Sequence, residues 1–282
     1  MNILSIFDGI SGAQVALNRL GLKNYNYYAS EIDKYAIKIT QANYPLTKQI
    51  GDVTKITKEI LPDIDLLIGG SPCQGFSFAG KQLNFDDERS ALFFEYVRIL
   101  NEVKPKHFLL ENVNMKKEYQ DVISGLLGVK PIKINSALVS AQNRVRLYWT
   151  NIQVVDQPDD KNIFLNEIIE NNVDEKYYLS EKLLNGFKNN KEWYKRFNPL
   201  TGKNKSFCLT ARYFKMGRND PYINDINGIR RLTPTECERL QTFPDNYTNH
   251  VSNTQRYKAL GNSFTVDVIA HILGKLRKEN MK

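Results

Sequence analysis

Cys73 stands alone in the run Gly69-Gly70-Ser71-Pro72-Cys73-Gln74-Gly75-Phe76-Ser77, directly after the apolar stretch Ile64-Asp65-Leu66-Leu67-Ile68. That stretch reads as a buried strand, and a thiol just past the carboxyl end of such a strand sits where α/β enzymes hold their ligands. Proline and glycine on either side fix a turn rather than a core segment, so the sulfur is presented to a cleft. A thiol so placed is suited to nucleophilic addition; a small buried hydrophobe is the plainer alternative for the same residue. A second chemical group closes Leu109-Leu110-Glu111-Asn112-Val113, where an apolar strand ends in a carboxyl group able to hold or donate a proton. A third lies in Gln142-Asn143-Arg144-Val145-Arg146, where strand alternation puts Arg144 and Arg146 on one face, fit to orient a carboxylate and a phosphate.

A nucleotide-like ligand is suggested upstream. Ile3 to Phe7 reads as a strand, Asp8-Gly9-Ile10-Ser11-Gly12 as a tight turn and Ala13 to Leu20 as a helix stopped at Gly21. The next strand, Tyr25 to Ser30, ends in Glu31, an acidic residue at the distance that serves a ribose hydroxyl in dinucleotide folds. The pattern GxGxxG is absent, so the looser turn points to an adenosyl ligand without phosphates. Gly51-Asp52-Val53 would add a carboxylate and an apolar side chain for an adenine at the same sheet edge.

The elements that must carry these groups alternate. Strands are expected at Ile64 to Ile68, His107 to Leu110, Ile132 to Val139 and Val145 to Val155, with helices at Tyr35 to Ala42 and Ser90 to Val103. This alternation predicts an α/β fold with a doubly wound, mostly parallel sheet covered on both faces. It stops near Asp156-Gln157-Pro158-Asp159-Asp160, a polar linker, after which residues 161 to 228 are rich in Asn, Lys and aromatics. Helical spacing returns at Thr235 to Leu240 and Val266 to Leu276. The expected organisation is a cofactor-binding domain over 1–160, completed by 258–282, with a small loop-rich domain over 161–257.

Composition narrows the partners. The 282 residues carry a net charge of +8. Residues 181 to 231 hold twelve Lys or Arg against four Asp or Glu, and the rest of the chain balances. Basic charge interleaved with Trp193, Tyr194, Phe197, Tyr213 and Phe214 has the make-up of a nucleic-acid footprint; a solvated basic face is the alternative. Cys73, Cys208 and Cys237 form no CxxC pair, and His107, His250 and His271 lack ligand spacing. No metal and no disulfide framework are expected. With no apolar run of membrane-spanning length and no basic leader, the expectation is a soluble cytoplasmic protein with no membrane partner.

Taken in order, FDGISG, ASE, GDV, SPCQGFS, ENV and QNRVR resemble the motifs of the DNA cytosine-5 methyltransferases. The likeness continues through Gly80-Lys81-Gln82, Arg89 to Phe94, Arg231-Leu232-Thr233-Pro234, Leu240 to Asp245 and Ala259-Leu260-Gly261-Asn262-Ser263-Phe264, leaving only about residues 161 to 205 uncovered. The resemblance implies a Rossmann-like methyltransferase that uses S-adenosyl-L-methionine, acts on a flipped cytosine in double-stranded DNA and works as a monomer. It implies Cys73 as the nucleophile toward C6, Glu111 at N3, Arg144 on the base and holding Glu111, and Arg146 placing the base or its phosphate. For the cofactor it implies Phe7, Asp8, Gly9, Ile10, Gly12, Glu31, Ile32, Asp52, Val53, Pro72, Leu92, Asn262 and Ser263. Gln74, Ser77 and Gln82 are expected to meet DNA from a closing loop. The short segment from Phe207 resembles the compact recognition region of animal de novo methyltransferases, with Arg212, Lys215, Arg218 and Asn219 reading bases or phosphates. Two alternatives stand beside this: a transfer RNA cytosine methyltransferase, whose signature after Cys208 is interrupted by Leu209 and Ala211-Arg212, and a non-catalytic DNA-binding relative. Cys208 and Cys237 are expected to be inert in core-like surroundings.

Overall fold

The computed structural model describes residues 1–71, 88–153, 156–189 and 197–279. Within them the chain forms two compact units: 1–134 with 145–157 and 266 onward, and 135–144 with 158–265.

The first unit is built on a sheet of order β3-β2-β1-β4-β5-β7-β6. Its strands are β1 (Asn2–Ile6), β2 (Asn26–Ser30), β3 (Lys48–Gln49), β4 (Leu66–Gly69), β5 (His107–Val113), β6 (Ile132–Asn135) and β7 (Val145–Thr150). β1 runs parallel to β2 and β4, β2 to β3, and β4 to β5, whereas β7 is antiparallel to β5. β1 and β4 are almost continuously buried, as expected for strands covered on both faces. Leu4, Ile6, Leu67, Leu110, Phe93, Tyr96 and Trp149 meet in the core between sheet and helices.

The helices of this unit are α1 (Gly12–Arg19), α2 (Lys34–Asn43), α3 (Glu88–Val103), α4 (Lys117–Leu127) and the returning tail helix (Val266–Glu279). Asp33 caps α2 by accepting from the Tyr35 amide at 2.9 Å. The tail helix packs on α1, where Arg19 pairs with Asp267. Because the sheet is parallel from β3 through β5, the carboxyl ends of β1, β2, β3, β4 and β5 lie along one edge, where the loops bearing Phe7, Glu31, Asp52 and Ser71 gather beside Glu111 near the end of β5.

The second unit contains α5 (Glu181–Asn189), a β8–β9 hairpin (Tyr222–Asp225, Gly228–Arg231), α6 (Pro234–Leu240) and α7 (Asn253–Asn262); the tail helix is α8. α6 opens with a capping box: Thr233 Oγ1 accepts from the Glu236 amide at 3.1 Å, and Glu236 Oε2 accepts from the Thr233 amide at 2.7 Å. Glu236 also meets the fully buried guanidinium of Arg230 at 2.8 Å. Phe187, Phe197 and Tyr222 form a ring cluster with centroids 4.8 to 6.0 Å apart.

The segment 135–144 is stitched to the second unit: the Ser206 amide donates to Ala141 O at 2.6 Å, and Gln142 Oε1 accepts from the Leu209 amide at 2.6 Å. Two sequence expectations change. The strand expected at Ile132 to Val139 ends at Asn135, whose side chain caps a 3-10 turn over Ser136–Leu138. Phe197 and Tyr213 serve packing rather than a nucleic-acid face: Phe197 lies in the ring cluster, and Tyr213, 1% exposed, donates to Pro221 O and accepts from the Leu232 amide. Trp193 and Tyr194 lie outside the described residues.

Candidate active site

The turn after β1 is held in an unusual backbone shape. Phe7, Gly9 and Ser11 have φ of 56°, 60° and 55°, a left-handed conformation that is costly for Phe and Ser and free for glycine. The Asp8 amide donates to Ser30 O at 3.1 Å, tying the turn to the end of β2. The Gly9 amide donates to Glu31 Oε2 at 2.8 Å, while Glu31 Oε1 accepts from the Ile32 and Asp33 amides, both at 2.8 Å. Three backbone donors thus fix Glu31, and a carboxylate retains capacity for a further donor such as a ribose hydroxyl. Ile32 is 76% exposed, a large apolar side chain beside that carboxylate.

Asp52 accepts from the Thr54 amide and hydroxyl at 3.0 and 2.9 Å, and those bonds hold its carboxyl below the ordinary value. It is therefore an ionised acceptor at neutral pH, suited to an amino group. Val53 is buried against the core, and Phe7 and Leu92 are half-buried at its margin. Asp8, Ile10 and Gly12 are buried, so they build the turn from below. These residues could hold an adenosyl group. The Gly9 amide, which in a phosphate-binding turn would face an anion, is committed to a carboxylate.

At the end of β5, Glu111 Oε1 stands 2.9 Å from Arg146 Nε, with both side chains largely covered. Asn112, 2% exposed, donates to Ser71 Oγ at 3.0 Å and so fastens this strand to the residue two positions before Cys73. Asn112 was not singled out from the sequence; its signal is a polar side chain inside an otherwise apolar strand. Pro72, Cys73, Gln74, Ser77 and Gln82 lie outside the described residues.

Arg144 precedes β7 instead of alternating with Arg146 along it, and it belongs to the second unit. Its Nη1 donates to Leu209 O at 2.9 Å and lies 3.3 Å from Cys208 Sγ, and its Nη2 donates to Ser263 O at 3.0 Å. Arg144 thereby fastens the segment at Cys208 and Leu209 to the residues that follow α7. Gly261 completes this contact, because a Cβ there would lie 2.2 Å from the Thr210 carbonyl carbon.

Within the second unit Asn262 is exposed and Ser263 is buried, its hydroxyl donating to Leu260 O at 3.0 Å. Arg212, Lys215 and Asn219 are exposed, and Arg218 is half-buried. Asp220 Oδ2 accepts from the Gly217 amide at 2.6 Å and closes the loop that carries Arg218 and Asn219. Cys237 is fully buried and its thiol is pushed well up by burial, in keeping with an inert role. Cys208 departs from expectation: it is half-buried and lies beside Arg144 rather than in a core. Among the described residues no group of three or more His, Cys, Asp or Glu is gathered to hold a metal ion, and no helix is long and apolar enough to cross a membrane.

The family model for C-5 cytosine-specific DNA methylases matches residues 1–123 and 135–278. The chain belongs to this family. As a C-5 cytosine DNA methylase it is an enzyme that modifies DNA and draws its methyl group from S-adenosylmethionine. It is similar to the Type II methyltransferase M1.ScrFI of Lactococcus lactis subsp. cremoris, 36% identical over 97% of this chain and 77% of the relative. It is also similar to M.DsaV of Dactylococcopsis salina, 33% identical over 98% and 86% of the two chains. Among solved structures the methylase fold is shared with the Entamoeba histolytica methyltransferase EhMeth, at TM-score 0.84, 22% identity and 100% and 99% coverage. It is shared too with a putative DNA modification methyltransferase encoded within an Escherichia coli prophage, at TM-score 0.75, 20% identity and full coverage of both chains.

Proposed function

We propose that this methylase transfers a methyl group to C5 of a flipped cytosine within a short sequence of double-stranded DNA, through a covalent adduct of Cys73 at C6. The observation that supports this reading best is the Glu111–Arg146 pair at the end of β5, joined through Asn112 and Ser71 to the segment that leads into Cys73. Cytosine C5 is a poor nucleophile until C6 is attacked, and a thiolate is the side chain best able to add there. The Cys73 sulfur forms a bond to C6, the ring electrons move toward N3, and Glu111 holds the proton at N3. Arg146 fixes the Glu111 carboxyl in place and contributes positive charge beside the base. S-adenosylmethionine, when bound, supplies the electrophilic methyl that C5 takes.

Loss of the C5 proton to a base then returns the electron pair that expels the Cys73 thiolate. A stacked base offers neither face to a thiol, so the cytosine must leave the helix. In this reading Glu31 and Asp52 hold the ribose and adenine, and Phe7, Ile32, Val53, Pro72 and Leu92 supply apolar cover. Gln74, Ser77 and Gln82 face DNA, and Arg212, Lys215, Arg218 and Asn219 contact bases or phosphates as one monomer engages its site. Transfer of labelled methyl to duplex DNA, followed by bisulfite sequencing, tests the reading and gives the recognition sequence. Labelling of RNA in place of duplex DNA would overturn it.

A further inference from the structure

Beneath the turn at residues 7–11 lies a set of polar side chains that the reaction does not use. Asp8 and Tyr27 are 5% and 3% exposed, and the Tyr27 hydroxyl donates to Asp8 Oδ1 at 2.7 Å. Ser11 Oγ donates to the other oxygen, Oδ2. Gln14 Nε2 donates to Thr47 Oγ1 at 2.7 Å and to Ser11 Oγ at 3.2 Å, and Thr40 Oγ1 donates to Ser11 Oγ at 3.2 Å. The network therefore reaches from β2 to the start of α1 and grips the turn at Asp8 and Ser11.

Burying a carboxylate here is unfavourable, and burial pushes the Asp8 carboxyl up in spite of its donors, with the Glu31 charge adding to the shift. An apolar pair of similar volume would suit the core better. What the polar pair provides is a fixed backbone: Asp8 separates two left-handed residues, Phe7 and Gly9, and the Gly9 amide is the donor that holds Glu31.

We propose that Tyr27 and Asp8 are positioning residues for the cofactor, the Tyr27 hydroxyl locking the left-handed turn so that the Gly9 amide sets Glu31 for the ribose. This rests on the reading that Glu31 and the turn hold S-adenosylmethionine. Neither side chain touches the ligand; both act through the Gly9 amide. Loss of the Tyr27 hydroxyl frees the turn and turns Glu31 away from its productive position.

The test is calorimetric binding of S-adenosylhomocysteine to the full chain, with steady-state kinetics on duplex DNA. Tyr27→Phe removes only the hydroxyl, and Kd for S-adenosylhomocysteine and KM for S-adenosylmethionine are expected to rise together on the order of tenfold, as for loss of one charge-assisted hydrogen bond. Turnover at saturating cofactor and affinity for DNA stay within about twofold of the parent, the split expected for a group that acts through ground-state binding. Asp8→Asn, which keeps an acceptor for Tyr27, falls between the parent and Asp8→Ala. Glu31→Ala serves as the control: if it binds S-adenosylhomocysteine normally, the cofactor reading itself fails. If Glu31→Ala loses binding while both Tyr27→Phe and Asp8→Ala bind like the parent and only melt earlier, the pair is structural alone and the inference is overturned. Should Tyr27→Phe fail to fold, the order Asp8→Asn above Asp8→Ala in affinity decides the question, and equal affinity contradicts it.

Discussion

Arg146 Nε stands 2.9 Å from Glu111 Oε1, and the two side chains are 14% and 13% exposed. A covered pair of this kind has a strained balance: removing one partner leaves the other charged and poorly solvated. That makes the two arginines of QNRVR separable in experiment, since Arg146 serves the carboxyl group and Arg144 serves backbone carbonyls in the second unit.

Arg146→Ala and Glu111→Gln are each expected to lower kcat by about 10² to 10⁴, the range for loss of a positioned proton-transfer group. Binding of S-adenosylhomocysteine is expected to be unchanged. Single-turnover kinetics with saturating DNA checks this, and a turnover near that of the parent for either variant would remove Glu111 and Arg146 from the chemistry.

Glu31→Ala is expected to weaken S-adenosylhomocysteine binding by about 10- to 100-fold, because it removes an acceptor for the ribose and releases three amides, those of Gly9, Ile32 and Asp33. Isothermal calorimetry measures it. DNA affinity, from the same preparation, stays at the parent value.

Arg144→Ala and Gly261→Ala should act together on the segment at 208–211. The first removes the donor to Leu209 O and Ser263 O, and the second forces a Cβ into the Thr210 backbone. Each is expected to cost about 2 to 4 kcal/mol in denaturant unfolding and to weaken DNA binding more than cofactor binding. Their effects should be less than additive, since both free the same contact.

Asp220 predicts a pH dependence of stability. Burial pushes its carboxyl up to about 6 from 3.8, against the Gly217 amide and the Arg212 charge, which pull it down. The folded state therefore holds more protons than the unfolded one between these values, and this contribution is present below the lower one and lost as pH rises through the higher. Asp220→Asn, which keeps an acceptor for Gly217, should stabilise the protein at neutral pH on the order of 1 kcal/mol once solvent screening is allowed for, and by much less near pH ~4. Urea unfolding at the two pH values reads the difference directly.

The parallel sheet and the loops at its carboxyl edge were legible in the sequence because β1, β4 and β5 are apolar runs ending in Gly, Asp, Glu or Asn. The start of α1 and the end of α3 were placed within a residue or two, where glycine and Lys-Pro mark the limits. The second unit was harder to read. Its hairpin β8–β9 carries the Asn227-Gly228 turn signal, yet its strands have four residues each, too short for alternation to stand out. The pairing of Arg146 with Glu111 was not legible either. It depends on where β7 begins, and Asn135 sets that locally: its Oδ1 accepts from the Arg144 amide at 3.0 Å and holds this residue out of the strand. The Tyr27–Asp8 bond joins residues 19 apart on adjacent elements, which no local periodicity reveals.

The central claim is covalent catalysis by Cys73, and the most direct measurement is trapping with duplex DNA that carries 5-fluorocytosine at the mapped target position, in the presence of S-adenosylmethionine. With fluorine in place of the C5 proton elimination is blocked, so the parent protein should form a denaturant-stable complex with DNA at a one-to-one ratio, and peptide mass spectrometry should place the linkage on Cys73. Cys73→Ser should form none while still binding S-adenosylhomocysteine. Methyl transfer to duplex DNA with no trapped complex, or a complex that persists in Cys73→Ser, would contradict the account.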